Sequence, residues 1–449
     1  MKFIIIGGDA AGMSAAMQIV RNSTGNEVIT FERGSIYSYG QCGLPYAING
    51  EVKSTEDLIA RKPETFEEKY GIRTNTYHEV TKVDCEKKIV FGTNLQTGEA
   101  FEESYDRLLI ASGASPVLPP WENKDLDGIF SLKTIPDAEA IMEYMNDDTK
   151  DVTLIGGGYI SLEMAESLVS IGKRVSLIER GDQLAKIFDW DMAALIHTHA
   201  EEKGVQLHFG ESVEGFEGDT TVETVLTDKG SHETDLVIAA IGVVPNTAFM
   251  DGTGVSKSIN GAISVNRFME TSIKDIYAAG DCATQYHRIK QRDDHIPLGT
   301  HANKQGQIAG LNMIDQPKAF QGIVGTSILK FFDLTLGKTG LSEREAASLH
   351  LPYDSVTIES THAAGYYADS RKDTMTLKLV YNPETLQLLG GQIIGKKGID
   401  KRIDVLATAL YHEMTTEQLL DLDLSYAPPY NSVWDPLQQA ARKAKRRKA

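Results

Sequence analysis

Lys2-Phe3-Ile4-Ile5-Ile6-Gly7-Gly8-Asp9-Ala10-Ala11-Gly12 opens the chain and decides how the rest is read. An apolar run of strand length ends on glycines, and a helix of small and apolar residues is expected after it. Gly7 permits the tight strand-to-helix turn, and Gly12 lets the helix lie close to the strand. The backbone N–H groups and dipole at such a helix start can hold a pyrophosphate. Strand-like Glu27-Val-Ile-Thr-Phe-Glu-Arg33 follows. Its Glu32 falls about twenty residues beyond the turn, where a carboxylate accepts from a ribose hydroxyl.

The pattern recurs. A strand at 152–155 leads into Gly156-Gly-Gly158-Tyr159-Ile-Ser161, a helix at 162–171, Gly172, and strand Arg174-Val-Ser-Leu-Ile-Glu179. Asp9 replaces the middle glycine of the first loop, and Ser161 the last glycine of the second. One such loop is weak evidence. Two, each with its acid, imply an α/β chain with two Rossmann-like units that binds two dinucleotides. After about residue 322 strand-like segments (376–380, 388–394) and a helix at 400–412 indicate a separate α+β domain.

The 449 residues allow two to four domains, each with a core. With 63 acidic against 45 basic side chains, the net charge is −18. This disfavours nucleic acid and acidic membrane surfaces, so an anionic ligand needs a local pocket. No run reaches membrane-spanning length, and the N-terminal apolar run is too short for a signal peptide. Three scattered cysteines are too few for a disulfide framework or a zinc site, so no metal is expected and a reducing cytoplasm suits the chain. The basic stretch Ala441-Arg-Lys-Ala-Lys-Arg-Arg-Lys-Ala449 reads as a solvated tail.

Cys42, in Ser38-Tyr-Gly-Gln-Cys-Gly-Leu-Pro-Tyr46, follows the first unit closely. A Cys-x-x-x-x-Cys pair would put its partner at 47, which is alanine. A lone thiol must cycle through a mixed disulfide, a persulfide or a sulfenic acid. A helix starting near Pro45 is expected to lower its pKa. Cys85 and Cys282 read as structural thiols.

Together these residues, with Ala111-Ser-Gly113-Ala114, Gly280-Asp281 and Ser425-Tyr426-Ala-Pro-Pro-Tyr430, resemble the single-cysteine flavoprotein disulfide reductases. That family includes coenzyme A-disulfide reductases, NAD(P)H persulfide reductases, NADH oxidases and peroxidases. The resemblance implies an FAD-binding domain at 1–118 and 244–322, an NAD(P)H-binding domain at 119–243, and a C-terminal dimerisation domain at 323–449. It implies a homodimer in which each C-terminal domain completes its partner's site. FAD contacts would come from Gly7, Gly12, Glu32, Arg33, Ala111, Gly113, Gly280 and Asp281. NADH or NADPH contacts would come from Gly156, Gly158, Tyr159, Glu163 and Glu179. Glu179 favours NADH, while neighbouring Arg180 suits NADPH.

Ser14, Gln18 and Arg21 share one helix face by their spacing. The resemblance makes that face a coenzyme A contact, joined by Ser38, Gln41, Lys69 and His301, with Arg61 and Lys62 as further nearby charge. It also brings Tyr366 (or adjacent Tyr367, near an insertion at 368–374) and Tyr426 to the cysteine as proton donors. Ala10 stands where the oxidases and peroxidases carry a histidine, and Gln41 where the coenzyme A branch usually has asparagine. The leading expectation is reduction of coenzyme A disulfide or persulfide through Cys42. An NADH oxidase or peroxidase using a sulfenic acid, and a flavin-bound redox sensor, are the alternatives.

Overall fold

The computed structural model describes residues 1–367 and 370–445. Ala368 and Asp369, in the insertion noted above, and the last four residues of the basic tail lie outside the described residues.

The first unit is a parallel sheet. Strand β1 (Lys2–Ile6) pairs with β2 (Glu27–Phe31) on one side and with Arg107–Ile110 on the other. Strand β3 (Ile72–Asn75) and strand Ile276–Ala278 close the two edges. Helix α1 (Ala10–Asn22) crosses beneath it and packs on helix Gly299–Asn312. The two backbones nearly touch: a Cβ at Gly306 would lie 2.2 Å from the Ala11 carbonyl oxygen, and one at Gly310 2.5 Å from that of Ala15.

The second unit repeats this plan with strands Gln206–Phe209, Arg174–Glu179, Asp151–Ile155, Leu236–Ala239 and Ile129–Ser131, all parallel in that order. The helix expected at 162–171 begins earlier, spanning Tyr159–Ser170, because Gly158 already serves as its N-cap. Both chain crossings between the units run through one antiparallel ribbon, Ala114–Pro116 against Val243–Pro245. The Asn246 side chain pins it, donating to the Ser112 carbonyl and accepting from the Ser115 hydroxyl.

The C-terminal part is a five-stranded antiparallel sheet covered by helices Ile399–Tyr411 and Pro436–Lys443. The second unit docks firmly on it. Lys330 pairs with Glu166, the Phe332 amide donates to Glu166 Oε2 at 2.8 Å, and Asp189 exchanges two bonds with the Gln392 amide (2.8 and 2.6 Å). Lys378, 3 % exposed, meets Asp189, Asp191 and Glu343. Among the described residues no helix is long and apolar enough to cross a membrane.

Candidate functional site

The two glycine loops are near copies at the atomic level. Glu32 Oε2 accepts from the Gly8 amide (2.8 Å) and Oε1 from Gly34 (2.7 Å). Glu179 Oε2 accepts from Gly157 (2.8 Å) and Oε1 from Gly181 (2.6 Å), with Lys186 Nζ added at 2.7 Å. Helix α1 and helix Tyr159–Ser170 both start without a side-chain cap and without an acid in the first turn. Their first N–H groups are therefore open to an anion. A Cβ at Gly7 would lie 2.1 Å from the Ala111 oxygen and one at Gly156 2.7 Å from that of Ala240. These residues fit two dinucleotides.

Around the first loop, Gly113 adopts φ +66°, and Gly280 donates to Gln305 Oε1 at 3.0 Å. Asp281 pairs with Lys133 at 3.0 Å, a cation that the sequence reading passed over. Arg33 lies outside the loop, 3.8 Å from exposed Glu79.

Cys42 sits in a single 3₁₀ turn, Gln41–Gly43, ahead of α2 (Leu44–Ile48). The loop is held against residues 58–60: Gly40 donates to the Leu58 carbonyl and Ala60 to that of Ser38. Gly43 lets the loop lie close to Leu58, whose side chain would have to move to admit a Cβ there. The expected lowering of the thiol pKa does not occur. With only five residues α2 offers a weak dipole, while crowding by protein atoms and the Glu163 carboxylate push the thiol up. Lys133 opposes them and Asp281 adds to them. Glu163 itself is raised to about 7, by burial first and then by Glu166. Cys282 is fully buried, its thiol pushed to about 11, and Cys85 is half-buried.

Two departures from the expected pattern turn out to be one contact. The Gln41 amide nitrogen donates to Asp9 Oδ2 at 2.7 Å, and the Tyr39 amide donates to Asp9 Oδ1 at 3.1 Å. Asp9 leaves α1 uncapped and instead ties the loop before Cys42 to the glycine turn. Burial raises its carboxyl to about 6, although the bonds from Tyr39 and Gln41 pull the other way.

A groove of about 190 Å³ runs along α1 beside this loop. Ser14, Gln18, Arg21, Ser38 and Arg61 line it, with Met17, Phe66, Asn303 and Gln307. Ser14 Oγ donates to Asn303 at 2.8 Å. Asn303 and Gln307 were missed, although their i, i+4 spacing is the face that helix Gly299–Asn312 turns toward α1. Lys69 and His301 are not in the lining. Lys69 lies in the last turn of α3 (Pro63–Tyr70), beside the Tyr70 ring, and Lys62 faces Glu56. His301 is 6 % exposed, with Nδ1 3.0 Å from the Ile296 carbonyl oxygen.

The Tyr366 and Tyr426 hydroxyls, sixty positions apart in sequence, lie 3.0 Å from each other. Both rings are open to solvent, 76 % and 47 % exposed, and Tyr430, Val433 and Trp434 further along the chain are exposed too. The Tyr159 hydroxyl bonds Ser327 of the antiparallel sheet, and burial pushes it to about 12.

Two dinucleotide cradles and one accessible cysteine define an FAD-dependent oxidoreductase that takes electrons from NAD(P)H. Residues 1–306 match the family described as pyridine nucleotide-disulphide oxidoreductase, and residues 326–437 match its dimerisation domain. The chain belongs to this family. It is 40 % identical to the CoA-dependent NAD(P)H sulfur oxidoreductase of Pyrococcus abyssi, covering 98 % of this chain and 97 % of that one. It is 32 % identical to the coenzyme A disulfide reductase of Staphylococcus haemolyticus, covering 99 % of each. The structure of the water-forming NADH oxidase of Lactobacillus brevis, bound to NADH, superposes with a TM-score of 0.95 at 31 % identity, covering 99 % and 98 %.

Proposed function

We propose that this enzyme reduces coenzyme A disulfide, or a coenzyme A persulfide, with electrons from NAD(P)H and Cys42 as its redox thiol. The observation that carries the reading is the groove, lined by Arg21 and Arg61, whose wall at Ser38 continues into the Cys42 loop. An overall acidic protein has here a local cationic groove beside the Cys42 loop, as a phosphate-bearing thiol requires.

Cys42 as thiolate attacks one sulfur of the disulfide, forming a mixed disulfide and expelling a coenzyme A thiolate. A Tyr366 or Tyr426 hydroxyl donates its proton to that thiolate. FAD held by the first glycine loop and Glu32 would supply the two-electron relay from the nicotinamide that resolves the mixed disulfide to the Cys42 thiol and the second coenzyme A thiol. Lys133 favours the thiolate, and protonation of Glu163 near pH 7 removes a charge that opposes it. Glu32 and Glu179 hold the riboses, and Tyr159 and Glu163 orient the nicotinamide.

In this reading residues 1–118 and 244–322 hold FAD, 119–243 hold NAD(P)H, and 323–449 form the contact of a cytoplasmic homodimer. The exposed tyrosine pair then reaches the partner's Cys42 region. An oxidase using a Cys42 sulfenic acid is the second reading. Ala10 disfavours it, because a methyl group lines the groove where an imidazole would be needed.

The test is Cys42→Ser. Bound FAD and its reduction by NAD(P)H should persist while turnover of coenzyme A disulfide is lost. Substantial residual turnover would overturn the assignment, and oxygen consumption at a rate comparable to disulfide reduction in the unmodified enzyme would favour the oxidase.

A further inference from the structure

The outer edge of the second parallel sheet carries a side-chain cluster far in character from any redox role. His208 stands on the edge strand Gln206–Phe209, Glu211 just beyond its end, and His232 on the strand Gly230–Glu233 of the neighbouring three-stranded meander. His232 Nε2 lies 2.6 Å from Glu211 Oε1, and His208 Nδ1 lies 3.9 Å from Oε2. The two imidazole rings are tilted to each other with centroids 4.3 Å apart. One donor atom from each of the three residues falls within 4.8 Å of the others.

The cluster is short of positive charge. Glu211 is 7 % exposed, and among the described residues no lysine or arginine is paired with it. Nearby Lys229 turns its ammonium to the Phe209 carbonyl instead. The buried carboxylate depends on two imidazoles and a hydroxyl for its partners, and a bound cation would serve it as a protonated imidazole does. His208 Nε2 is buried with no hydrogen-bond partner. The Thr227 hydroxyl donates to Glu211 Oε1 at 2.6 Å, an outer contact of the kind that orients a ligating carboxylate.

We propose that His208, Glu211 and His232 bind one divalent ion of the zinc class, with water in the fourth position, clasping the meander to the sheet edge. Two imidazoles and one carboxylate are a zinc donor set. Bonds of about 2.0–2.2 Å in a tetrahedron place donors about 3.3 Å apart, between the two histidine–glutamate spacings seen here. The cysteine count gives no sign of this site, because no cysteine takes part.

The clasp adjoins the nucleotide cradle. The Glu211 amide donates to the Glu179 carbonyl at 3.3 Å, and the Gly210 amide to that of Gly181 at 2.7 Å. The third ligand is therefore rooted in the turn whose carboxylate holds the ribose.

The experiment uses full-length flavin-bound protein carrying Cys42→Ser, which removes the accessible competing thiol. After chelator dialysis, Zn²⁺ alone is titrated by calorimetry. The expected result is one equivalent per chain, weakened at least about tenfold by His208→Ala or by His232→Ala, and about tenfold by Thr227→Val through the outer contact. Glu211→Gln, of the same shape, should weaken binding with unchanged flavin content and reduction by NAD(P)H. Absence of binding at about 100 µM Zn²⁺, or unchanged affinity in the double histidine variant or in Glu211→Gln, would overturn the proposal.

Discussion

Asp9→Asn should make the protein more stable at alkaline pH while impairing its disulfide turnover. Asp9 is half-buried, and its carboxyl is raised from 3.8 to about 6. A shift of about two units corresponds to about 3 kcal/mol. The sign follows from the direction. The unfolded chain ionises near its ordinary value and the folded chain only near 6, so the fold prefers the protonated acid. This contribution is fully present below pH 4 and is lost as the pH rises through 6. Asparagine mimics the protonated state and carries no charge to be lost. Urea unfolding of both proteins with flavin bound, between pH 5 and 8, should show the variant ahead by about 3 kcal/mol at pH 8 and about half of that at pH 5. Reduction by NAD(P)H should persist, while disulfide turnover falls because Gln41 and Tyr39 lose their charged acceptor. A stability difference that does not change with pH would refute the account of Asp9.

Arg21→Ala should raise KM for coenzyme A disulfide by about ten- to a hundredfold, the worth of a lost charge-assisted phosphate contact, and leave a small disulfide without a nucleotide unaffected; equal effects would make Arg21 a mere surface charge. Mixing Cys42→Ser with the Tyr366→Phe/Tyr426→Phe double variant should restore about a quarter of normal activity, since about half the dimers are mixed and each holds one intact site; no recovery despite subunit exchange would place the tyrosines in their own subunit's site or make them dispensable. Ser327→Ala should leave the Tyr159 hydroxyl without its partner and change KM for NAD(P)H but not for the disulfide; an equal change in both would make that bond structural only.

What the sequence revealed depended on locality. The two glycine turns, their acids at 32 and 179 and the isolated Cys42 lie in short segments whose period and spacing are visible directly. The tyrosines at 366 and 426 came through resemblance alone, since sixty residues separate hydroxyls that meet at 3.0 Å. Asp9 and Gln41 each looked like a separate irregularity, because their contact exists only once the chain has passed through β2 and returned to the turn. The thiol was misjudged because a helix was expected to dominate. The fold supplies only five helical residues there, and a carboxylate from 163 that no reading of the local sequence could bring in. Lys133 escaped for the same reason, as its partner is 148 residues away.

The bonds that fasten the second unit to the antiparallel sheet have a consequence for timing. Glu166, Asp189 and Lys378 are buried at that seam and fully engaged, so swinging the unit outward would have to break all of these bonds together. Nicotinamide exchange cannot then await a slow domain swing of microseconds to milliseconds. On the proposed reading it falls to a single phenol ring, that of Tyr159, to turn aside and return, and the distance electrons travel stays the same from one catalytic round to the next.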